Sequence, residues 1–137
     1  MATLANNQPR TFEGEGFNEL PVIAADIIYE GAAVGDNGSG YARPLVAGDP
    51  FRGFAVDPVD NSAGSAGERR VKLRPKGLVQ LNVPSVGLGN INDPVYASDD
   101  NTFTLTATSN SLIGYVYRYV STGVCIVAFD VTKGDPS

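Results

Sequence analysis

The sequence predicts an all-β fold, a small β-barrel or β-sandwich built from two related β-meanders and preceded by an extended N-terminal arm. Three observations carry that expectation. The 16 glycines and 9 prolines are spread along the 137 residues and interrupt every stretch long enough for a helix. The apolar segments between them are short and rich in branched and aromatic side chains, which fit a pleated surface. One phrase also occurs twice: "FRGFA" at residues 51–55 and "LIGYV" at residues 112–116 each place a large apolar residue two positions before a glycine, then an aromatic, then an apolar residue.

Length and composition fit one domain. At this size roughly two-thirds of the unfolded surface can be buried on folding, and 42% hydrophobic residues supply a core. Residues 1–20 are polar and hold no period for long, so they read as an extended arm, with residues 21–137 as the β-rich domain. Arg10 lies in this arm, as do Phe12 and Phe17, and a purely solvated tail gains nothing from two aromatics. These rings either dock on a partner or fold back on their own domain. The first residues lack the apolar run of a secretory signal, and "VIAADIIYEGAAV" is too short and too charged to span a bilayer, so the expectation is a soluble protein made in the cytosol with no membrane partner.

The elements follow in order. In "PVIAADIIYEGAAVG", Ile27, Ile28 and Tyr29 favour a strand, and a second apolar piece covers residues 32–34. "GDNGSG" has hairpin-turn chemistry, with residues that tolerate positive φ, and "YARPLV" returns from it. "DNSAGSAGE" reads as a flexible surface loop. In "RRVKLRPKGLVQLNV", read as one strand, Arg70, Lys72, Arg74 and Lys76 point to one side and Val71 and Leu73 to the other. The last third reads as four strands at residues 95–97, 103–107, 112–120 and 124–131. Four threonines alternate with Phe103, Leu105 and Ala107 as in a half-buried strand, and "GVCIVAF" is apolar on both faces, as a central strand is.

Sliding the chain by 61 positions sets Val34 on Val95, Phe51 on Leu112, Gly53 on Gly114 and Phe54 on Tyr115. After a five-residue gap, a shift of 56 sets Val71 on Val127. The reading is a weak internal repeat in which the glycine before the aromatic marks a bend or a close backbone approach.

Charge is unevenly placed. Five of the 10 basic residues fall in "RRVKLRPK", and the other five against 15 acids leave the remainder at 5 − 15 = −10. The strip suits either a solvated face or an acidic protein surface. Nucleic acid is not expected, because no aromatics are interleaved for base stacking and the chain is acidic overall. No histidine exists for general base, metal or triad work, no Gly-x-Ser-x-Gly elbow occurs, and most aspartates sit beside Pro, Gly or Asn in turns, so neither an enzyme nor a cofactor is expected. Cys125 reads as a core thiol with no disulfide partner. Tyr115, Tyr117 and Tyr119 alternate along one segment. They serve either as packing inside the barrel or at a subunit seam, or as a platform on which a carbohydrate stacks.

Taken together and in order, "IYEGAAVG", "GYARPLVAGDPFRGFA", "DNSAGSAGE", "DPVYASDDNTFTLT" and "IGYVYR…STGVCIVAFD" resemble the small head decoration, or capsid cement, proteins of tailed bacteriophages. The resemblance runs from about Ile27 to Asp130 and excludes the arm. It implies a structural virion protein on the outer surface of the expanded capsid, made in the host cytoplasm, that bridges neighbouring major capsid subunits as a homotrimer. On that reading, Arg10, Phe12, Phe17, Arg70, Lys72, Arg74 and Lys76 are candidate capsid contacts, and Tyr115, Tyr117 and Tyr119 candidates for the oligomer seam. A particle-displayed carbohydrate- or receptor-binding β module is the alternative, with the same tyrosines as its platform.

Overall fold

The computed structural model describes residues 17–131, and they are all-β, with a short 3-10 turn at Leu88–Asn90 and no α-helix among them. The first half carries β1 (Asn18–Pro21), β2 (Asp26–Ile28), β3 (Ala33–Asp36), β4 (Ala42–Pro44), β5 (Phe51–Ala55), β6 (Val59–Asn61) and β7 (Arg70–Arg74). The second carries β8 (Lys76–Asn82), β9 (Pro94–Asp99), β10 (Thr102–Thr104), β11 (Ser111–Ser121) and β12 (Val124–Asp130).

Two five-stranded antiparallel sheets result, and their orders correspond strand for strand. The first runs β4-β3-β5-β7-β1, the second β10-β9-β11-β12-β8. In each half the first strand lies beside the last, and the strand after the hairpin crosses over to pair with the hairpin's first arm. Pairing is therefore not purely sequential as in a plain meander. A two-stranded ribbon, β2-β6, has no counterpart in the second half.

The repeated phrase marks the same backbone device in both sheets. Val34 pairs with Gly53 and Gly35 with Phe51, leaving Arg52 as a bulge; Val95 pairs with Gly114 and Tyr96 with Leu112, leaving Ile113 as a bulge. A Cβ on Gly53 would stand 2.5 Å from the carbonyl oxygen of Arg74, and one on Gly114 would run into that of Ala128. Those carbonyls belong to the residues that pair with the following aromatics, Phe54 with Arg74 and Tyr115 with Ala128. Only glycine permits so close an approach. Further along, the pairs Ala55–Leu73 and Val116–Val127 show that Val127 corresponds to Leu73. The shift there is 54 rather than 56, a two-residue slip that keeps the side chain on the same face of the strand.

Two cores form. The main one joins the sheets: Ala33, Leu45, Phe51 and Phe54 from the first meet Val95, Phe103, Ile113, Val116, Val127 and Phe129 from the second. Phe51 and Phe54 are three residues apart and would face opposite ways in a regular strand; the bulge turns both into this core. Their rings stack edge to face at 5.3 Å, and Phe54 meets Phe129 at 4.9 Å. The second core lies between the first sheet and the β2-β6 ribbon, with Val22, Ile28, Val34, Val71 and Leu73 fully buried. Asn61 secures the ribbon by donating from Nδ2 to the carbonyls of Ile23 (2.8 Å) and Ser65 (3.1 Å). The second sheet curls until its edges, β8 and β10, approach each other.

The β3-β4 hairpin is closed by its own acids. Asp36 Oδ1 accepts from the N–H of Gly38 (2.7 Å) and Gly40 (3.0 Å), while Oδ2 takes Arg52 at 3.1 Å. Asp49 holds Arg43 through both oxygens and accepts the N–H of Val46. Partial burial opposes the charge on Asp36, but the two glycine N–H groups and Arg52 outweigh it, and the carboxyl sits below its ordinary value of 3.8. A depressed folded value contributes stability that is present above the unfolded value and is lost as pH falls through the folded one. In acid denaturation followed by circular dichroism, Asp36→Asn is expected to be less stable than wild type at neutral pH. The gap closes as pH drops below 3.8.

Three sequence expectations need correction. "RRVKLRPKGLVQLNV" is two strands in different sheets: Pro75 has no N–H for the ladder, its carbonyl is taken by the Val131 N–H (2.8 Å), and Gly77 follows at φ +149°. The threonine-rich strand stops at Thr104, whose hydroxyl accepts the Thr106 N–H at 3.1 Å and diverts the chain into a turn. The arm ends earlier than residue 20, because Asn18, Glu19 and Leu20 already pair with Leu73, Lys72 and Val71.

Candidate functional site

The basic strip is built on β7. Val71 and Leu73 are buried beneath it in the second core, which holds Arg70, Lys72 and Arg74 on the other side of the strand. Because β1 pairs antiparallel with β7 from Asn18 onward, Phe17 arrives beside Arg74. Its ring is 48% exposed, with Lys72 Nζ 5.0 Å from the centroid and Arg74 Cζ 5.2 Å from it. Two cations thus flank one ring, an arrangement that fixes their long side chains at the surface while leaving their charge available.

No ion pair closes on Arg70, Lys72 or Arg74 among the described residues; Arg43 pairs with Asp49 at 2.7 Å and Arg52 with Asp36 at 3.1 Å. Acids do lie close by: Glu19 stands opposite Lys72 in register across β1 and β7, and Glu68 lines a groove with Arg69 and Arg70. Asp60 is held below its usual range by the Ser62 hydroxyl and N–H and by Arg69. An open groove of about 670 Å³ runs beside the strip, lined by Asp60, Ser62, Glu68, Arg69 and Arg70; the loop that forms it reads from sequence only as a flexible segment.

Of the capsid-contact candidates, Phe17, Lys72 and Arg74 come together, with Arg70 on the same side of β7. Lys76 does not join them: it opens β8 in the other sheet, in register with Asp130. Arg10 and Phe12 lie outside the described residues.

The three tyrosines do not form one row. Tyr115 pairs with Ala128 on the outer face of the second sheet and is 49% exposed. Bulges between Val116 and Arg118 and between Tyr119 and Ser121 break the alternation. Tyr119 pairs with Cys125, whose side chain is in the main core, and its hydroxyl lies 3.3 Å from that of Thr122 in the hairpin turn. Tyr117 sits at the first bulge, exposed. A single stacking platform of three rings is therefore absent among the described residues.

The remaining chemistry is structural. Cys125 is buried, and desolvation pushes its thiol up, away from the nucleophilic thiolate. Asp99 caps its turn by accepting the Asn101 N–H at 2.8 Å, which holds its carboxyl low, while burial and the neighbouring Asp99 charge push Asp100 up. No group of three or more Cys, Asp or Glu side chains converges on a metal-sized site among the described residues. Comparison with models of known protein families gave no match, and a search of curated proteins gave none.

Proposed function

We propose that this chain is a structural particle protein that docks on the outside of an expanded phage capsid, bridges neighbouring major capsid subunits, and associates with copies of itself, as the resemblance in its sequence implies. The observation that supports this best is the Phe17–Lys72–Arg74 cluster, a basic and aromatic patch that forms no ion pair among the described residues, on an otherwise acidic protein. A patch of that kind attracts an acidic protein surface, speeds its approach, and supplies an aromatic anchor once water is excluded. A rigid doubled sheet suits reinforcement, where weak contacts are multiplied over many sites.

Co-sedimentation with expanded shells lacking this protein tests the reading. Wild-type protein should bind at a fixed ratio, raise the shell melting temperature, and bind less as salt rises. The double variant Lys72→Glu, Arg74→Glu is expected to weaken binding by about tenfold or more at low salt, since each reversal replaces an attraction with a repulsion at the patch. Unchanged binding by that variant would remove the strip from the interface. Truncation to test the arm should stop at residue 16, because residues 18–21 belong to the first sheet.

A further inference from the structure

The loop between β6 and β7 holds a polar group that its own fold leaves unanswered. Asn61 is 1% exposed, and its Nδ2 donates to the carbonyls of Ile23 and Ser65. Both partners are acceptors, so the amide cannot turn over, and Oδ1 is fixed on the opposite side. It is the one buried side-chain polar atom among the described residues without a hydrogen-bond partner. A group in that position calls for a reason, because an unpaired buried acceptor forfeits its hydration and gains nothing in return.

Gly64 shows what Oδ1 faces. A Cβ placed on Gly64 would run into Asn61 Oδ1 and Glu68 Oε2 together. Gly64 has no positive φ, so its backbone would accept any residue; what glycine supplies here is the space beside the two oxygens. An amide oxygen and a carboxylate both accept and neither donates. Brought to one point, they repel unless a donor or a cation joins them.

The surrounding loop is held in place. The Gly64 N–H donates to the Asn61 carbonyl (3.0 Å), the Glu68 N–H to that of Ser65 (3.1 Å) and the Gly67 N–H to that of Val22 (2.9 Å). Glu68 is exposed and lines the open groove, so an ion entering from solvent meets its carboxylate first. A carboxylate, an amide carbonyl and water are the hard oxygen donors that Ca²⁺ takes, in a geometry loose enough for an irregular loop, whereas Mg²⁺ demands a near-ideal octahedron. Asp60 lines the same groove and favours a cation, while Arg69 and Arg70 oppose it, which sets the affinity at the weak, millimolar end of calcium sites.

We infer that Asn61 Oδ1 and the Glu68 carboxylate bind a calcium ion at the space left by Gly64, with water from the groove completing its shell. The site stands apart from the capsid reading, since neither ligand belongs to the Phe17–Lys72–Arg74 cluster. Its effect is to tie the end of the loop, next to β7, back to β6.

The full chain is tested by thermal unfolding and by terbium luminescence. In 10 mM CaCl2 the wild-type melting temperature should rise by about 3–6 °C over NaCl of equal ionic strength, as mass action gives for a ligand at about ten times its dissociation constant. MgCl2 should give less than half that rise, and Glu68→Gln, a change at an exposed side chain, should lose most of it. Arg69→Ser should bind calcium about threefold tighter, a gain that a purely structural role for the loop would not produce. Tb³⁺, which occupies calcium sites, should emit when tyrosine is excited, because the Tyr41 ring packs against Gly67, 3.4 Å from where a Cβ would stand. Calcium should displace that emission, and Tyr41→Phe should dim it while keeping the calcium-dependent rise in melting temperature. Four results would overturn the inference. They are no rise with calcium beyond the salt control, as a water molecule at the site would give; an equal rise with MgCl2, which marks diffuse screening of an acidic chain; a full rise in Glu68→Gln; and undimmed terbium emission from Tyr41→Phe.

Discussion

Replacing Gly114 with alanine is expected to destabilise the fold by about 3–5 kcal/mol, and with valine to prevent folding altogether. The added Cβ would run into the backbone carbonyl of Ala128, with a methyl of Val127 at 2.9 Å, and a strand held in register on both sides has no easy way to retreat. Urea and thermal unfolding measure the effect, which for a chain of this length corresponds to a melting temperature lower by roughly 10–20 °C. Gly53→Ala should behave similarly, since its Cβ meets the Arg74 carbonyl and its φ of +128° adds strain. Gly48 supplies the control. It also has a positive φ, +95°, but an added methyl group would meet nothing within 4 Å, so Gly48→Ala should cost only ~1 kcal/mol. If Gly114→Ala melts within a degree or two of wild type, the close approach of β11 and β12 is wrong.

Phe54→Ala is expected to cost about 3–5 kcal/mol, whereas Tyr115→Ala, at the matching place in the second half, should cost the folding of a single chain less than about 1 kcal/mol. The contrast follows from burial. Phe54 touches Phe51, Phe129 and Phe103, with ring centroids 5.3, 4.9 and 6.2 Å away, and its removal opens a cavity that three rings and two sheets cannot collapse into. Tyr115 leaves no enclosed void. The measurement is denaturation of both variants at high dilution, where association does not add to apparent stability. Equal losses from the two substitutions would mean that Phe54 is not buried between the two sheets.

Much of the architecture was legible because the repeat is written in backbone terms. Gly53 and Gly114 each precede an aromatic at one fixed spacing, and a glycine in a strand has few uses besides a bulge or a close approach, so position and purpose could be read together. Hairpin chemistry around Asp36 was equally local. What the residues concealed depended on partners far along the chain. Pro75 reads as a flaw in one long strand until the two sheets are seen to need a break there. The tyrosines of β11 look like one row because alternation assumes a regular strand, and two bulges move them out of line. The basic strip was visible on β7, yet its extension to Lys76 was not real, and the part played by Phe17 required the pairing of β1 with β7. The arm boundary failed for the same reason: residues 18–20 are polar enough to look solvated and are ordered by a strand much further along the chain.

The two sheets share no strand, and the chain passes between them once, at Pro75. During synthesis the first sheet can therefore complete its hydrogen-bonded ladder before the second exists, a favourable order for a β protein, whose long-range pairings are slow. Its aromatic face cannot be completed on the same schedule. Phe51 and Phe54 wait for Phe103 and Phe129, and Phe129 lies in β12, the last of the described strands. A nascent or truncated chain ending before β12 is thus a well-ordered sheet with a sticky side, and aggregation of such fragments, rather than their unfolding, is the hazard this arrangement carries.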